Sequence, residues 1–348
     1  MTQLTTTTTG REIAPLTGNA LATIGTIASE HAKAAAFNEY MMRKSPNTLR
    51  RQRDDLADFS RFLAHAGINV TADELQSDPQ TWRGITFGIV AAYRGYMLKA
   101  GNAIGVVNLR LSTVRVYCTL AMQAGMVEPN ELVLIRSVKG YAAKEARNAD
   151  EKREVKRISG RKAVANVLTA EQLAKIRTRP DTAQGRRDAV MLGLLGALGL
   201  RVGEVCMLTV GNVNLAGNTI AFYRPKVDKH QVHELRGALA MAMRAYIEQD
   251  AGTDPKAPLL RASRKGGALT HEGMTRFGIA KRVQQLGIEV GVMNLSPHDL
   301  RHSWATGKAR RNNVIALRDA GGWSSLATPS RYIAAAAIAN AGLGGDED

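Results

Sequence analysis

The octapeptide Leu295-Ser296-Pro297-His298-Asp299-Leu300-Arg301-His302 reads as a helix start built around charge. Ser296 and Asp299 form an S-x-x-D capping box, in which hydroxyl and carboxylate each accept from the other residue's backbone N–H. Pro297 takes the first helical position, where its missing N–H costs nothing. His298 then falls in the first turn, where open N–H groups and the positive end of the helix dipole favour an anion. His298 and Arg301 are three residues apart and share a face, so a phosphate there would meet an imidazole, a guanidinium fork and a helix N-terminus together. The plainer alternative is a His and an Arg on an ordinary polar surface. A metal reading also competes, because His298 and His302 at i and i+4 resemble H-E-x-x-H. Asp in the second position, a cation between the histidines and no histidine after 302 count against it. His230 and His233 have no paired cysteines nearby and make a weaker case still.

Upstream, Gly199-Leu200-Arg201-Val202-Gly203-Glu204 follows an apolar run from Ala189 to Leu200, which reads as a buried helix. Arg201 is therefore delivered next to the core, where a charge without a partner is costly. Glu204 supplies one partner, and a bound phosphate would be a second. Residues 218–235 carry β-branched and aromatic residues around a Pro/Asp turn and predict a hairpin, with Lys226 in the turn and Lys229 three residues later. Downstream, Gly321-Gly322-Trp323 precedes Thr328-Pro329-Ser330-Arg331-Tyr332 by a few residues.

The composition narrows the class of partner. The chain has 348 residues with 47 Lys+Arg against 31 Asp+Glu, a formal charge of +16, and 45% apolar residues. That apolar content supports packed cores in about two domains, and the charge points to a polyanion, nucleic acid before membrane. Two cysteines, Cys118 and Cys206, exclude a disulfide framework and fit a reducing, cytoplasmic setting. The Thr-rich N-terminus has no signal-peptide pattern, and a 12-residue apolar run is too short to span a bilayer.

The predicted organisation is a flexible tail over 1–20, a helical domain over 21–143, an exposed basic linker over 144–166, and a second domain over 167–348. Ser45-Pro46-Asn47-Thr48 starts a helix with Leu49, Leu56, Phe59 and Leu63 on one face, and five cations, Arg43, Lys44, Arg50, Arg51 and Arg53, gather at its beginning. A helix over 106–124 is expected to turn Leu109, Val116 and Leu120 inward and Arg110 and Arg115 outward. Thr169 and Gln172 form the capping box that opens the second domain, which reads as mostly helical with the one hairpin as its interruption.

Taken together, the segments resemble the tyrosine site-specific recombinase (phage integrase) family, in the order and approximate spacing of every catalytic motif. Gly199–Val205 resembles its first arginine motif, Ser296–His302 its H-x-x-R motif, and Gly322-Trp323 followed by Tyr332 its final motif. Trp323 stands where a histidine is commoner, as in the Cre-like branch. The resemblance implies a mainly α, two-domain fold: a helical core-binding domain, then a mixed α/β catalytic domain that is mostly helical with a small β-hairpin or sheet. It implies catalytic roles for Arg201, Lys226, His298, Arg301, Trp323 and Tyr332, with Glu204 supporting Arg201, Tyr332 as nucleophile and Lys229 as the alternative lysine.

The implied activity cuts and rejoins double-stranded DNA at a specific site through a 3′-phosphotyrosyl intermediate, without metal, ATP or other cofactor. Thr306-Gly307-Lys308 has His302 where a Walker loop needs glycine. Two arginines can clamp the nonbridging oxygens as charge develops on them. Trp323 has one N–H donor and cannot exchange protons. The resemblance further implies a homotetramer on DNA and a Holliday junction, with the segment after Tyr332 docking on a neighbouring copy or on its own domain. Arg43, Lys44, Arg50, Arg51, Arg53, Arg110, Arg115, Arg264, Lys265, Arg310 and Arg311 are the DNA-binding candidates. A catalytically inactive DNA-binding protein of this fold, a telomere resolvase and a type IB topoisomerase-like enzyme are the alternatives.

Overall fold

A computed structural model describes residues 18–152, 166, 168–309 and 313–336. The chain divides into two compact units, residues 1–161 and residues 162–348.

The first unit is helical: α1 (Gly18–Met42), α2 (Pro46–Ala64), α3 (Ala72–Ser77), α4 (Phe87–Lys99), α5 (Ile104–Gln123), α6 (Pro129–Ser137) and α7 (Ala143–Lys152). Helix α2 begins at the expected cap, with the Ser45 side chain accepting from Thr48 N–H and Pro46 in the first turn. Leu56, Phe59 and Leu63 are buried from it against an aromatic layer in which Phe59 stacks on Trp82 and Trp82 on Tyr117. The same face buries two carboxylates. Asp55 accepts from Thr113 Oγ1 at 2.7 Å and pairs with Arg51 at 2.5 Å, while Asp58 accepts from Tyr93 Oη at 3.1 Å and pairs with Arg110 at 2.7 Å.

Those pairs correct the expected face of α5. Leu120 is buried as expected, but Leu109 is exposed, Val116 is only partly buried, Arg110 turns to Asp58, and the other inward residues are Ile104, Val107, Leu111, Val114, Tyr117 and Cys118. A buried carboxylate needs a cation, and that demand sets the rotation of a helix whose apolar residues surround it. The predicted linker over 144–166 also begins differently, because α7 runs through Lys152 with no buried residue. Glu145 accepts from Ala142 N–H at 2.8 Å, an acceptor at the helix start where open N–H groups need one.

The second unit contains α8 (Ala170–Arg177), α9 (Ala183–Gly196), α10 (Val202–Val205), β1 (Val213–Asn214), β2 (Thr219–Arg224), β3 (Lys229–Glu234), α11 (Gly237–Tyr246), β4 (Arg261–Ser263), β5 (Leu269–Gly273), α12 (Arg276–Glu289), α13 (Pro297–Ala309), α14 (Val314–Gly321) and α15 (Ala327–Ala336). The capping box of Thr169 and Gln172 opens α8. The predicted hairpin is present as β2 and β3, extended by β1 into an antiparallel sheet in the order β1-β2-β3. Tyr223 pairs with His230 and Arg224 with Lys229 in its register. A second interruption, the β4–β5 pair, was not expected from so short a pattern; residues 261–263 and 269–273 are too brief for alternation to show. The buried apolar helix stops at Gly196 rather than running to Leu200. Gly199 adopts φ +66°, and a Cβ there would meet the Trp304 ring at 2.3 Å, so the chain turns on a glycine and presents Arg201 to the next layer.

The core of this unit joins α9, α11 and α12 to one face of the sheet through Val190, Leu194, Ile220, Phe222, Met243 and Val283. A smaller apolar cluster of Trp304, Ala305, Ala309 and Leu317, with Trp323, Tyr332 and Ile333 at its margin, holds α13, α14 and α15 together. Arg310, Arg311, most of the predicted tail and linker, and the segment from 337 onward lie outside the described residues. Among the described residues no helix is long and apolar enough to cross a membrane.

Candidate active site

The site assembles where α10, β2, α13 and the end of α14 meet. Arg201 caps α10, and its backbone N–H donates to Glu204 Oε2 at 2.8 Å while its Nη1 pairs with Glu204 Oε1 at 2.8 Å. Glu204 is buried, so this carboxylate is committed to cations. Arg201 Nη2 donates to the carbonyl of Gly322 at 2.9 Å.

Arg301 reaches the same place from α13. The capping box forms as expected: Ser296 N–H and Oγ–H each donate to Asp299 Oδ2 at 2.8 Å, and Asp299 N–H donates back to Ser296 Oγ at 3.3 Å. One turn later Arg301 is 5% exposed, donating from Nη1 to the carbonyl of Gly199 and from Nη2 to that of Gly321 at 2.6 Å. Its guanidinium lies 4.7 Å from the centre of the Trp323 ring. Burial pushes its pKa down to about 10, with Arg201 adding repulsion and Glu204 opposing it, so it remains a cation near neutral pH.

A third guanidinium joins them. Arg224, at the end of β2, is fully buried and donates to the carbonyls of Gly321 at 2.7 Å and Ala320 at 2.9 Å, with Glu204 Oε2 3.5 Å from its Nη1. Its pKa is likewise lowered by burial to about 10. Sequence reading passed over Arg224. The available signal was strand alternation, since Ile220, Phe222 and Arg224 share the inward face of β2.

Tyr332 projects from α15 into this margin, half-buried. Its ring lies 5.8 Å from that of Trp323 and 4.9 Å, edge on, from that of His302. Burial raises the phenol pKa and the Arg301 charge opposes the rise. His302 thus belongs to the site as a neighbour of the tyrosine, whereas the sequence offered it only as half of a metal pair. Its own pKa is lowered by burial and then by the nearby His298. His298 is exposed on the first turn of α13, so it and Arg301 differ sharply in accessibility. Lys226 and Lys229 are both exposed on the hairpin, the first in its turn and the second at the start of β3.

Arg201, Glu204, Arg301, Trp323 and Tyr332 are therefore gathered; His298 lies near His302 and Lys229 near Asp319, while Lys226 is exposed in the hairpin turn. Three guanidiniums face one carboxylate, and hydrogen bonds to backbone carbonyls satisfy donors without neutralising charge. Such a site selects an anion.

The proposed DNA-contacting cations divide. Lys44, Arg50, Arg264 and Lys265 are exposed and make no ion pair among the described residues. Arg43 pairs with Glu39 and Arg53 with Asp73, while Arg51 and Arg110 are engaged by Asp55 and Asp58. Arg115 is only partly exposed.

Comparison with known proteins gives one answer. The sequence model of the phage integrase family matches residues 166–338. The tyrosine recombinase XerC of Roseiflexus castenholzii is 27% identical over 291 residues, covering 83% of each chain. The XerC of Pelobacter propionicus is 25% identical over 295 residues, covering 83% of this chain and 84% of that one. The backbone resembles that of a lambda integrase dimer bound to a COC′ core site, with a TM-score of 0.58 at 14% identity over 90% of this chain and 80% of the other. It also resembles the lambda integrase tetramer bound to a Holliday junction, with a TM-score of 0.56 at 14% identity over 89% and 80%. At that identity the structural likeness is one of fold, while the sequence match spans the same unit that collects the arginines around Tyr332. The chain belongs to the phage integrase family, as a tyrosine recombinase.

Proposed function

We propose that this chain cuts and rejoins duplex DNA at a specific site, using Tyr332 to form a transient 3′-phosphotyrosyl link. The observation that carries the reading is the excess of positive charge, the buried Arg224 and Arg301 and the partly buried Arg201 against Glu204 alone, beside the half-buried phenol of Tyr332. The Tyr332 oxygen attacks phosphorus, the bond to the 5′ oxygen breaks, and that oxygen leaves as a hydroxyl after gaining a proton. The remaining N–H groups of Arg201 and Arg301 hold the nonbridging oxygens as charge builds on them. Trp323 stacks on Arg301 and offers its indole N–H to a phosphate oxygen. His298 takes the tyrosine proton, and His302 holds the phenol ring from the side. Since one phosphodiester is exchanged for another, no energy source is required for rejoining.

Of the two hairpin lysines, the observations favour Lys229 as the proton donor to the 5′ oxygen. Lys229 is the register partner of Arg224, so both side chains leave the sheet on the same face, and that face looks toward the end of α14. The Asp319 carboxylate is held below its usual range by its hydrogen bond to Arg318 and, to a smaller degree, by the Lys229 charge. Lys226 sits in the turn beyond. Strand exchange then proceeds through a Holliday junction in a tetramer, a reading supported by the fold shared with lambda integrase.

The test is covalent capture. Sheared and randomly nicked genomic DNA from the source organism is incubated with the native chain, and DNA surviving denaturation on the protein is sequenced to define the site. A denaturant-resistant adduct absent from Tyr332→Phe is expected; no adduct from the native chain, or one that persists in the variant, overturns the assignment. On the captured duplex, Lys229→Ala should cleave slowly and recover on a 5′-bridging phosphorothiolate, whose sulfur leaves without a proton. Recovery of Lys226→Ala instead would move the role to Lys226.

A further inference from the structure

Arg224 adds to the positive charge of the site but holds none of the reacting atoms in the reaction just described, yet it is fully buried at the centre of the site. The last carbonyls of a helix have no partner within it. At the end of α14 four successive ones are taken by side chains from elsewhere. Gln231 Nε2 donates to Asp319 O at 2.9 Å, Arg224 Nη2 to Ala320 O at 2.9 Å, Arg224 Nη1 and Arg301 Nη2 to Gly321 O at 2.7 and 2.6 Å, and Arg201 Nη2 to Gly322 O at 2.9 Å. Gln231 and Arg224 belong to the β2–β3 hairpin, and Arg301 and Arg201 are the two phosphate-clamping arginines. Gly322 adopts φ +60°, and a Cβ there would meet the Arg224 guanidinium at 2.5 Å, so the turn is closed directly over it.

Charge is an expensive way to fill this space. A buried cation is costly to desolvate, and here two like charges, Arg201 and Arg301, are close by. A Met side chain would fill the same volume. What it could not do is hold two adjacent carbonyls at once from a planar fork.

We propose that Arg224 is a positioning residue for cleavage: it fixes the carbonyls of residues 320 and 321, and through them the seats from which Arg301 and Arg201 present their remaining N–H groups to the scissile phosphate. With Arg224 in place, Gly321 O is shared and Ala320 O is satisfied, so Arg301 need not turn further into the turn to cover them. The same anchor sets Trp323, whose backbone N–H donates to Arg318 O at 3.1 Å in the cap that Arg224 underpins. It also ties the lysine-bearing hairpin to the arginines, so acid and clamp move as one body.

This inference rests on the cleavage assignment above, and the experiment separates the two. On the captured duplex, the full-length native chain, Arg224→Lys and Arg224→Met are compared for DNA affinity, saturating single-turnover cleavage rate and Tm. Val283→Ala, a core truncation elsewhere in the same unit, serves as a control for lost stability. Expected are affinities within about twofold of native, a cleavage rate at least roughly tenfold lower for Met and about fivefold lower for Lys, and a native rate for Val283→Ala at temperatures below its Tm. Arg224→Met cleaving at the native rate, or Val283→Ala slowing equally, overturns the proposal. Should Arg224→Met fail to fold, Arg224→Lys decides, and a rate within about twofold of native overturns it. Absence of an adduct from the native chain would instead remove the cleavage assignment itself.

Discussion

Arg301 is a charge held where charge is least welcome. Its two carbonyl partners satisfy donors but do not neutralise it, so the site keeps a standing demand for an anion that a phosphodiester would meet. His233 shows the opposite solution to the same field. It packs edge on to Phe222 at 5.1 Å, and burial first, then the Arg224 charge, lowers its pKa from 6.5 to about 4, with Glu204 opposing. The neutral ring is the native form. As pH falls below 6.5 the unfolded chain takes up the proton first, so stability drops until the folded ring also titrates near 4, and above 6.5 the group has no effect. Thermal melts between those limits should show His233→Gln losing less Tm on acidification than the native chain. Equal losses would mean that the histidine is charged in the folded state.

The short C-terminal turn of α14 organises its surroundings more than its length suggests. A left-handed cap at Gly322 lets the chain reverse into Trp323 while leaving three carbonyls pointing at guanidiniums. Gly322→Ala should cost about 1–2 kcal/mol from the left-handed backbone alone, and more from the contact with Arg224. We expect Tm to fall by roughly 5 °C and cleavage to slow with it, since the turn that seats Arg201 must shift; differential scanning calorimetry and the covalent adduct assay read the two effects. An unchanged melting point would show that the cap can adopt another conformation.

For the whole chain, a charge of +16 is not +16 of DNA-binding charge. Of the proposed DNA-contacting cations, Lys44, Arg50, Arg264 and Lys265 are exposed and make no ion pair among the described residues, whereas Arg51 and Arg110 serve Asp55 and Asp58 inside the first unit. Replacing Lys44 or Arg50 by Ala should therefore lower the slope of log affinity against log salt by about one, with the cleavage rate at saturation unchanged. Arg110→Ala should act through stability instead, since it removes the less exposed of the two cations that pair with the buried Asp58 and leaves Arg61 alone with it beside Tyr93. Fluorescence titrations across a salt series would distinguish these behaviours, and a full unit of slope lost on Arg110→Ala would contradict the division.

Local chemistry wrote much of this molecule into its sequence. Caps at Ser45, Thr169 and Ser296 and the hairpin of residues 218–235 depend on neighbours a few residues away, and each was legible from that spacing, whereas the glycine turn before Arg201 was not, because it closes against the distant Trp304 ring. So were Arg201, Glu204, Arg301, Trp323 and Tyr332 as candidates, because their motifs are short and ordered. Other features depend on partners far along the chain. The rotation of α5 answers to buried carboxylates on α2, and the importance of Arg224 and His302 arises from carbonyls 96 and 97 residues away and from a phenol on another helix. A residue's spacing says which face of its own element it occupies; what stands opposite that face, and whether a cation there meets a carboxylate, a carbonyl or a phosphate, is a property of packing.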